Sequence, residues 1–115
     1  MNEPVSDILS NEEAREALSR NQFKSEADFQ FWLRKRAHEF GWLYHHNYDS
    51  RRSDPGFPDT VMVRGDRIIF AELKTPKGKL SDPQITWLEA LGGIDIESYI
   101  WRYEDVDRIL EILQR

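Results

Sequence analysis

The sequence has 115 residues, a length that fits one domain around one hydrophobic core and excludes a large barrel or a two-domain enzyme. Hydrophobic residues make up 39% and aromatic residues 12% of the chain, too much apolar surface for a disordered tail. No cysteine is present, so disulfides, thiolate nucleophiles and Cys-bound zinc are excluded. No export signal or long apolar run is visible, so we expect a cytoplasmic protein without membrane contact.

The formal net charge is −5, but the charge is distributed unevenly along the chain. Residues 61–80 include five basic and two acidic residues, whereas residues 81–115 include three basic and eight acidic residues. A local electrostatic field governs the encounter with a polyanion more directly than the net charge does. The charge distribution therefore permits a nucleic acid partner without requiring one.

The first half of the chain predicts two helices, a short strand and a loop. Residues 1–22 form a short polar helix in this interpretation, an appendage to one domain over residues 23–115. A stronger helix begins after Ser25, a good N-cap, and carries apolar residues at helical spacing until Gly41 ends it. A strand opens at Trp42, and residues 47–58 are rich in turn formers and predict a loop.

Two apolar runs, residues 60–64 and 67–73, are separated only by Gly65 and Asp66 and predict a β-hairpin. A type II′ turn that pairs residue 64 with residue 67 sets the register, so that the numbers of opposite residues sum to 131. Asp59 then lies opposite Glu72. Since both faces of the hairpin are apolar in the middle, we expect its strands to be central and covered by helices.

The last third of the chain predicts a helix, a strand and a final helix. The helix begins after Ser81 and ends at Gly92-Gly93, the strand spans residues 94–101, and an amphipathic helix with Val106 and Ile109 follows. The order of elements predicts an α/β domain of the mixed-sheet, α+β kind.

The pairing of Asp59 with Glu72 is the most informative inference, because like charges directly opposite each other destabilise a sheet. A divalent cation with oxygen ligands would offset the repulsion, and Mg²⁺ or Mn²⁺ commonly uses one or two carboxylates. Strand alternation places Lys74 on the same face as Glu72. Two acids, a base and a cation at one place predict metal-assisted hydrolysis of a phosphodiester. The alternative is a turn cap at Asp59 and an exposed strand end at Glu72 and Lys74.

These motifs resemble a known nuclease superfamily. Pro58-Asp59, then Glu72-Leu73-Lys74 on the second strand of a hairpin, then a helix with Gln84 near its start, resemble the PD-(D/E)xK nucleases with the restriction-endonuclease-like core. More narrowly, the segment from Gly56 through Gln84, preceded by the helix at Ser25, is similar to the VRR-NUC family of virus-type replication-repair nucleases. The resemblance covers about residues 25–91.

The resemblance implies roles for individual residues. Asp59 and Glu72 would be metal ligands together with the backbone carbonyl of Leu73, and Lys74 would be the catalytic lysine. Glu26 matches an acidic residue on the first core helix that reaches the metal directly or through water. A stabilising interaction with the helix dipole explains Glu26 equally simply.

The resemblance also assigns Gln84 to the active site, as the helical glutamine that completes its surface. A capping box with Ser81 explains the same residue, and the two explanations stay open. Four basic residues flank the predicted site and are candidate contacts to DNA phosphates: Arg51, Arg52, Lys77 and Lys79. His45 and His46 are adjacent on a strand, so they point to opposite faces and cannot chelate one ion together.

The resemblance predicts a Mg²⁺- or Mn²⁺-dependent endonuclease that selects branched DNA such as four-way Holliday junctions. A two-fold homodimer is the simplest way to cleave both strands, with exposed apolar residues around Trp101, Tyr103 or the first helix as candidates for the interface. A module that binds branched DNA without cutting it, and a nuclease subunit that acts on flaps or plain duplex with a partner, are the alternatives. A third interpretation is that the acidic C-terminal third docks on a basic protein.

Overall fold

The computed structural model describes residues 23–47 and 52–115, and the predicted appendage over residues 1–22 lies outside them. Three helices and four strands follow in the order α1 (Glu26–Glu39), β1 (Leu43–His46), β2 (Thr60–Arg64), β3 (Arg67–Leu73), α2 (Asp82–Gly92), β4 (Glu97–Trp101) and α3 (Val106–Gln114). A 3₁₀ turn over Tyr103–Asp105 leads into α3. The predicted α+β class is confirmed.

The four strands form one mixed sheet in the order β1-β2-β3-β4. The β1–β2 and β2–β3 pairs are antiparallel, whereas β3 and β4 are parallel and α2 connects them. The β2–β3 register, with Val61 opposite Phe70 and Arg64 opposite Arg67, is the predicted one. Gly65 has φ of 61° and Asp66 does not have a positive φ, which fits the predicted type II′ turn.

One face of the sheet carries the main core, because α1 and α3 pack on it. The fully buried residues of this core come from both helices and from the sheet and include Phe29, Leu33, Met62, Ile69, Leu73, Ile109 and Leu113. The alternation along β3 then directs Phe70 and Glu72 to the opposite face, where α2 lies. The domain therefore has three layers, and the site residues of β3 lie under α2.

Helix coverage of the sheet differs from the prediction on the second face. Leu43 is 75% exposed and Ile68 is 36% exposed, so α2 does not cover the part of this face that lies towards β1 and the hairpin turn. Trp101 and Tyr103, considered as neighbours of a dimer interface, are buried in the core at 2% and 4% exposure and offer no contact surface themselves.

Strand β4 is also shorter than predicted, since it begins at Glu97 and not at residue 94. Asp95 has φ of 58°, and the amides of Ile94 and Asp95 donate to Leu91 O and Gly92 O, so residues 93–95 form a turn after α2. Alternating apolar residues alone could not reveal this turn. Among the described residues, no helix is long and apolar enough to cross a membrane.

Candidate active site

Two carboxylates meet at the open end of the β2–β3 hairpin, as the register predicts. The backbone N–H of Asp59 donates to Glu72 Oε1 at 3.3 Å, and the backbone N–H of Leu73 donates to Asp59 Oδ2 at 3.2 Å. Each acidic side chain therefore accepts from the strand that carries the other. These reciprocal hydrogen bonds hold both carboxylates at one place.

Glu72 lies in an environment that disfavours its charge. Its side chain is 2% exposed. Burial raises the pKa of Glu72 to about 8, and the neighbouring Asp59 adds to the shift through repulsion and a shared hydrogen bond. Lys74 acts in the opposite direction and lowers this pKa. A buried carboxyl group with like charge beside it is typical of a functional site and costs stability.

Lys74 is placed on the same side of the chain as Glu72, as strand alternation predicts. Its Nζ lies 3.8 Å from Glu72 Oε2, and its side chain is only 16% exposed. Between them, the side chain of Leu73 is fully buried on the opposite face, so Leu73 presents only backbone groups to the site. A cationic group thus stands next to two carboxylates, within reach of the same ligand.

Gln84 makes the contacts that both explanations of this residue require. Its Oε1 accepts from the backbone N–H of Ser81 at 2.8 Å, which completes the capping box of α2. Its Nε2 donates to Glu72 Oε2 at 2.9 Å. Because the cap occupies the amide oxygen, the amide nitrogen faces the carboxylate, and the orientation of the amide is determined by two partners.

Glu26 lies at the start of α1 and faces the same site. Its side chain accepts from Gln30 Nε2 at 3.2 Å. Burial is the largest cause that raises the pKa of Glu26; repulsion from Asp59 also raises it, and Lys74 opposes both. The structure therefore brings Glu26 within electrostatic reach of Asp59 and Lys74.

The donor set suits a hard divalent cation. Asp59, Glu72 and the predicted backbone carbonyl of Leu73 are all oxygen donors, and Mg²⁺ and Mn²⁺ prefer such ligands. Within residues 23–47 and 52–115, no three His, Asp or Glu side chains form a ready-made metal cluster. A bound ion would thus keep several water ligands, as Mg²⁺ does where phosphate is the substrate.

The two histidines of β1 separate as expected. His45 is exposed, and His46 is buried on the other face, with its Nδ1 3.3 Å from Thr60 Oγ1. Burial lowers the pKa of His46, an effect that Asp59 partly opposes. His46 therefore contributes to packing beside the site.

Three of the four predicted DNA contacts belong to the described residues. Arg52, Lys77 and Lys79 are exposed, whereas Arg51 lies outside the described residues. Sequence reasoning missed Arg102, whose Nη1 donates to Thr75 O and Gly78 O at 2.7 Å each and so fixes the loop that carries Lys77 and Lys79, which we call the lysine loop. The parallel pairing of Leu73 with Trp101 places Arg102 beside that loop, but nothing in the sequence reveals this pairing.

Comparison with known proteins gives one family and one solved structure. The model of the VRR-NUC domain matches residues 6–103. The structure of Hjc from Archaeoglobus fulgidus, a Holliday junction resolvase from an archaeal hyperthermophile, is similar with 25% sequence identity and a TM-score of 0.47. The similarity covers 67% of this chain and 63% of the resolvase chain. No curated protein shows significant similarity to the chain.

Proposed function

The chain belongs to the VRR-NUC family, as its sequence motifs predicted, and from this premise we propose that it is a metal-dependent endodeoxyribonuclease that cleaves branched DNA. One observation carries the proposal: the buried carboxyl group of Glu72 lies against Asp59, with Lys74 Nζ 3.8 Å away. This arrangement costs stability in the absence of a cation, and a catalytic role would account for its presence.

The proposed mechanism assigns binding to the carboxylates. Asp59, Glu72 and the carbonyl of Leu73 would hold Mg²⁺ or Mn²⁺, and Glu26 would contact the ion through water. A bound cation supplies Lewis acidity towards the phosphate and lowers the pKa of coordinated water. The amide of Gln84 holds Glu72 in one orientation, so the ligand does not need to reorganise when the substrate arrives.

Lys74 supplies the cationic group of the reaction. Its ammonium group would orient the attacking water by hydrogen bonding or neutralise charge that develops on the phosphate oxygens in the transition state. Because Lys74 is mostly buried, its charge is less screened than that of a surface lysine. It therefore acts on the scissile phosphate at short range.

We expect phosphate contacts from the loops on both sides of the site. Arg52, Lys77 and Lys79 are exposed and flank the carboxylates in sequence, and Arg51 belongs to the same proposal. Contacts of this kind position the duplex without reading its sequence, which suits selection by DNA structure. Binding to a catalytically inert variant should weaken steeply as salt rises.

Resolution of a four-way junction requires two cuts, and a chain with one site supplies them most simply as a two-fold homodimer. Sedimentation of the free protein and of its complex with a junction would measure this. If the chain is a monomer both free and in complex with the junction, the proposal would be restricted to substrates that need one cut, such as flaps.

The test incubates the purified chain with end-labelled four-way, flap and linear DNA in Mg²⁺, Mn²⁺, Ca²⁺ or chelator. We expect cleavage of the junction in Mg²⁺ or Mn²⁺ and none in chelator. Lys74→Ala and Asp59→Asn should each reduce the rate by about a thousandfold or more, because each removes a group that acts in the transition state. Lys35→Ala, an exposed lysine on α1, is the matched control and should cut normally.

Three results would contradict this proposal. Undiminished cutting by Lys74→Ala would remove the mechanism. Junction binding that is equally tight with and without metal, with no product from any substrate, would select a binding module. Absence of DNA binding even at low salt would favour the interpretation that the acidic C-terminal third binds a basic protein.

A further inference from the structure

The loop before Asp59 touches the first turn of α2 through a glycine. Gly56 has φ of 97°, and a Cβ placed on it would lie 2.4 Å from Pro83 C and 2.5 Å from Pro83 O. These are backbone atoms of a helix, which cannot move aside alone. Any side chain at position 56 would therefore displace the first turn of α2 or the loop itself. Pro83 directly precedes Gln84, so the displacement would reach the active site.

The neighbouring residue, Phe57, makes a second connection. Its ring packs edge-on against Phe70 of β3, with centroids 5.8 Å apart, and against Trp87 of α2 at 5.1 Å. Phe57 lies two residues before Asp59, and Phe70 lies two residues before Glu72. The aromatic contacts therefore join three segments: the loop that leads to Asp59, the strand that carries Glu72, and helix α2. On this helix, Trp87 lies one turn after Gln84.

Helix α2 packs on β4, but it buries few of its side chains. Leu91 is its one buried residue, and Leu91 lies at the far end of the helix from Gln84. Because the capping box fixes the amide of Gln84 relative to α2, the distance from Gln84 Nε2 to Glu72 depends on where the first turn of the helix sits. The loop contacts at Gly56 and Phe57 lie at this end of the helix and bear directly on that position.

We propose that Gly56 and Phe57 are positioning residues that hold α2 on the loop, so that Gln84 keeps Glu72 oriented. The positioning rests on geometry alone, and its consequence for metal binding rests on the proposed function of Glu72 as a ligand. Outer-shell hydrogen bonds of this kind change metal affinity by about 10- to 100-fold when removed.

The test compares Gly56→Ala with Gly65→Ala in the full chain. Both glycines have positive φ, so alanine introduces backbone strain at both, but a Cβ at Gly65 meets nothing within 4 Å. We expect the Gln84 side-chain amide resonance, assigned by its absence in Gln84→Ala, to shift in metal-free Gly56→Ala. Affinity for Mn²⁺, measured by calorimetry, should fall about tenfold in this variant. Gly65→Ala should retain both wild-type values.

A double variant separates positioning from a general loss of structure. If Gly56 acts through Gln84, Gly56→Ala in a Gln84→Ala background should not weaken Mn²⁺ binding further. Independent effects in the double variant, or equal behaviour of Gly56→Ala and Gly65→Ala, would overturn the proposal.

Phe57→Leu covers the case in which Gly56→Ala does not fold, because leucine keeps the apolar contact and loses the ring edge. Phe31→Leu, on an exposed aromatic of α1, is its control. We expect the Gln84 resonance to shift in Phe57→Leu and not in the control, and an unshifted resonance in Phe57→Leu would reject the proposal. A wild-type chain that binds no Mn²⁺ and cuts no DNA would reject the proposed function. The Gln84 resonance would still test whether Gly56 and Phe57 position α2.

Discussion

The two ends of the β2–β3 hairpin use charged residues in opposite ways. At the turn end, the guanidinium groups of Arg64 and Arg67 lie 4.5 and 4.9 Å from the ring centroid of Trp42. Arg67 also forms a bidentate pair with Glu97, with Nε and Nη2 each 2.8 Å from a carboxylate oxygen. Arg64 Nη1 donates to Phe40 O at 3.0 Å. Each of these contacts places a positive charge beside a partner that favours it.

At the open end, the same ladder places Asp59 opposite Glu72, where burial and repulsion work against the charged form. Both ends of the hairpin share one β2–β3 register. The register alone therefore does not decide whether a pair of charged residues stabilises the sheet. We infer that the favourable contacts at the turn help the fold to tolerate the unfavourable carboxylates at the site. A destabilised end with a proposed function, separated from a stabilised end, is the pattern expected from the trade-off between stability and activity.

Glu72→Gln tests this contrast with the largest expected effect. The substitution removes a proposed metal ligand, so cleavage should fall by about a thousandfold or more. The metal-free variant should nevertheless be more stable than the wild type at pH 7 by about 1 to 2 kcal/mol, because it no longer buries an ionisable group beside Asp59. Chemical denaturation in chelator measures the stability, and Mn²⁺ should raise the melting temperature of the wild type alone.

The pH dependence of the same comparison has a definite sign. The pKa of Glu72 is raised from 4.5 to about 8 in the folded chain, so the folded state retains a proton that the unfolded state releases. The contribution of Glu72 to stability is therefore fully present below pH 4.5 and is lost as pH rises towards 8. Glu72→Gln should remove this decline. A wild-type chain that becomes more stable relative to the variant as pH rises would contradict the electrostatic description of the site.

Gln84→Glu sharpens the contrast with a smaller effect. Glutamate is a good capping-box residue, so α2 should form normally and Ser81 N–H should keep its acceptor. At Glu72, however, the substitution replaces an N–H donor with a third carboxylate beside the Asp59–Glu72 pair. We expect cleavage to fall by about 10- to 100-fold while the circular dichroism of the chain is unchanged. Wild-type cleavage by Gln84→Glu would show that Gln84 serves only as a cap.

The sequence was sufficient to predict the hairpin and most of the carboxylate site, for a physical reason. Alternation and a two-residue turn are local patterns, and together they determine which residues of two strands face each other. The placement of Asp59 opposite Glu72, with Lys74 on the same side, follows from these patterns without any tertiary information.

The parts that escaped prediction depend on contacts between segments that are distant along the chain. The close approach of Gly56 to Pro83 requires the packing of a loop on a helix, and the anchoring of the lysine loop by Arg102 requires the parallel pairing of β3 with β4. No periodicity in the sequence encodes either contact. The same limit applies to the second face of the sheet, where the apolar faces of the hairpin predicted a helical cover that the structure does not place over Ile68.

Glu97→Gln examines the stabilised end and has the smallest expected effect. The hydrogen bond from Arg67 is the main cause that lowers the pKa of Glu97 below 4.5, and a hydrogen bond from Tyr99 adds to it. Stability from this group is therefore present above pH 4.5 and lost as pH falls through the lowered folded value, the opposite sign to Glu72. The variant should lose about 1 kcal/mol at pH 7, match the wild type at low pH, and cut DNA at the normal rate. A loss of cleavage in Glu97→Gln without unfolding would show that the two ends of the hairpin are coupled, and the division between them would fail.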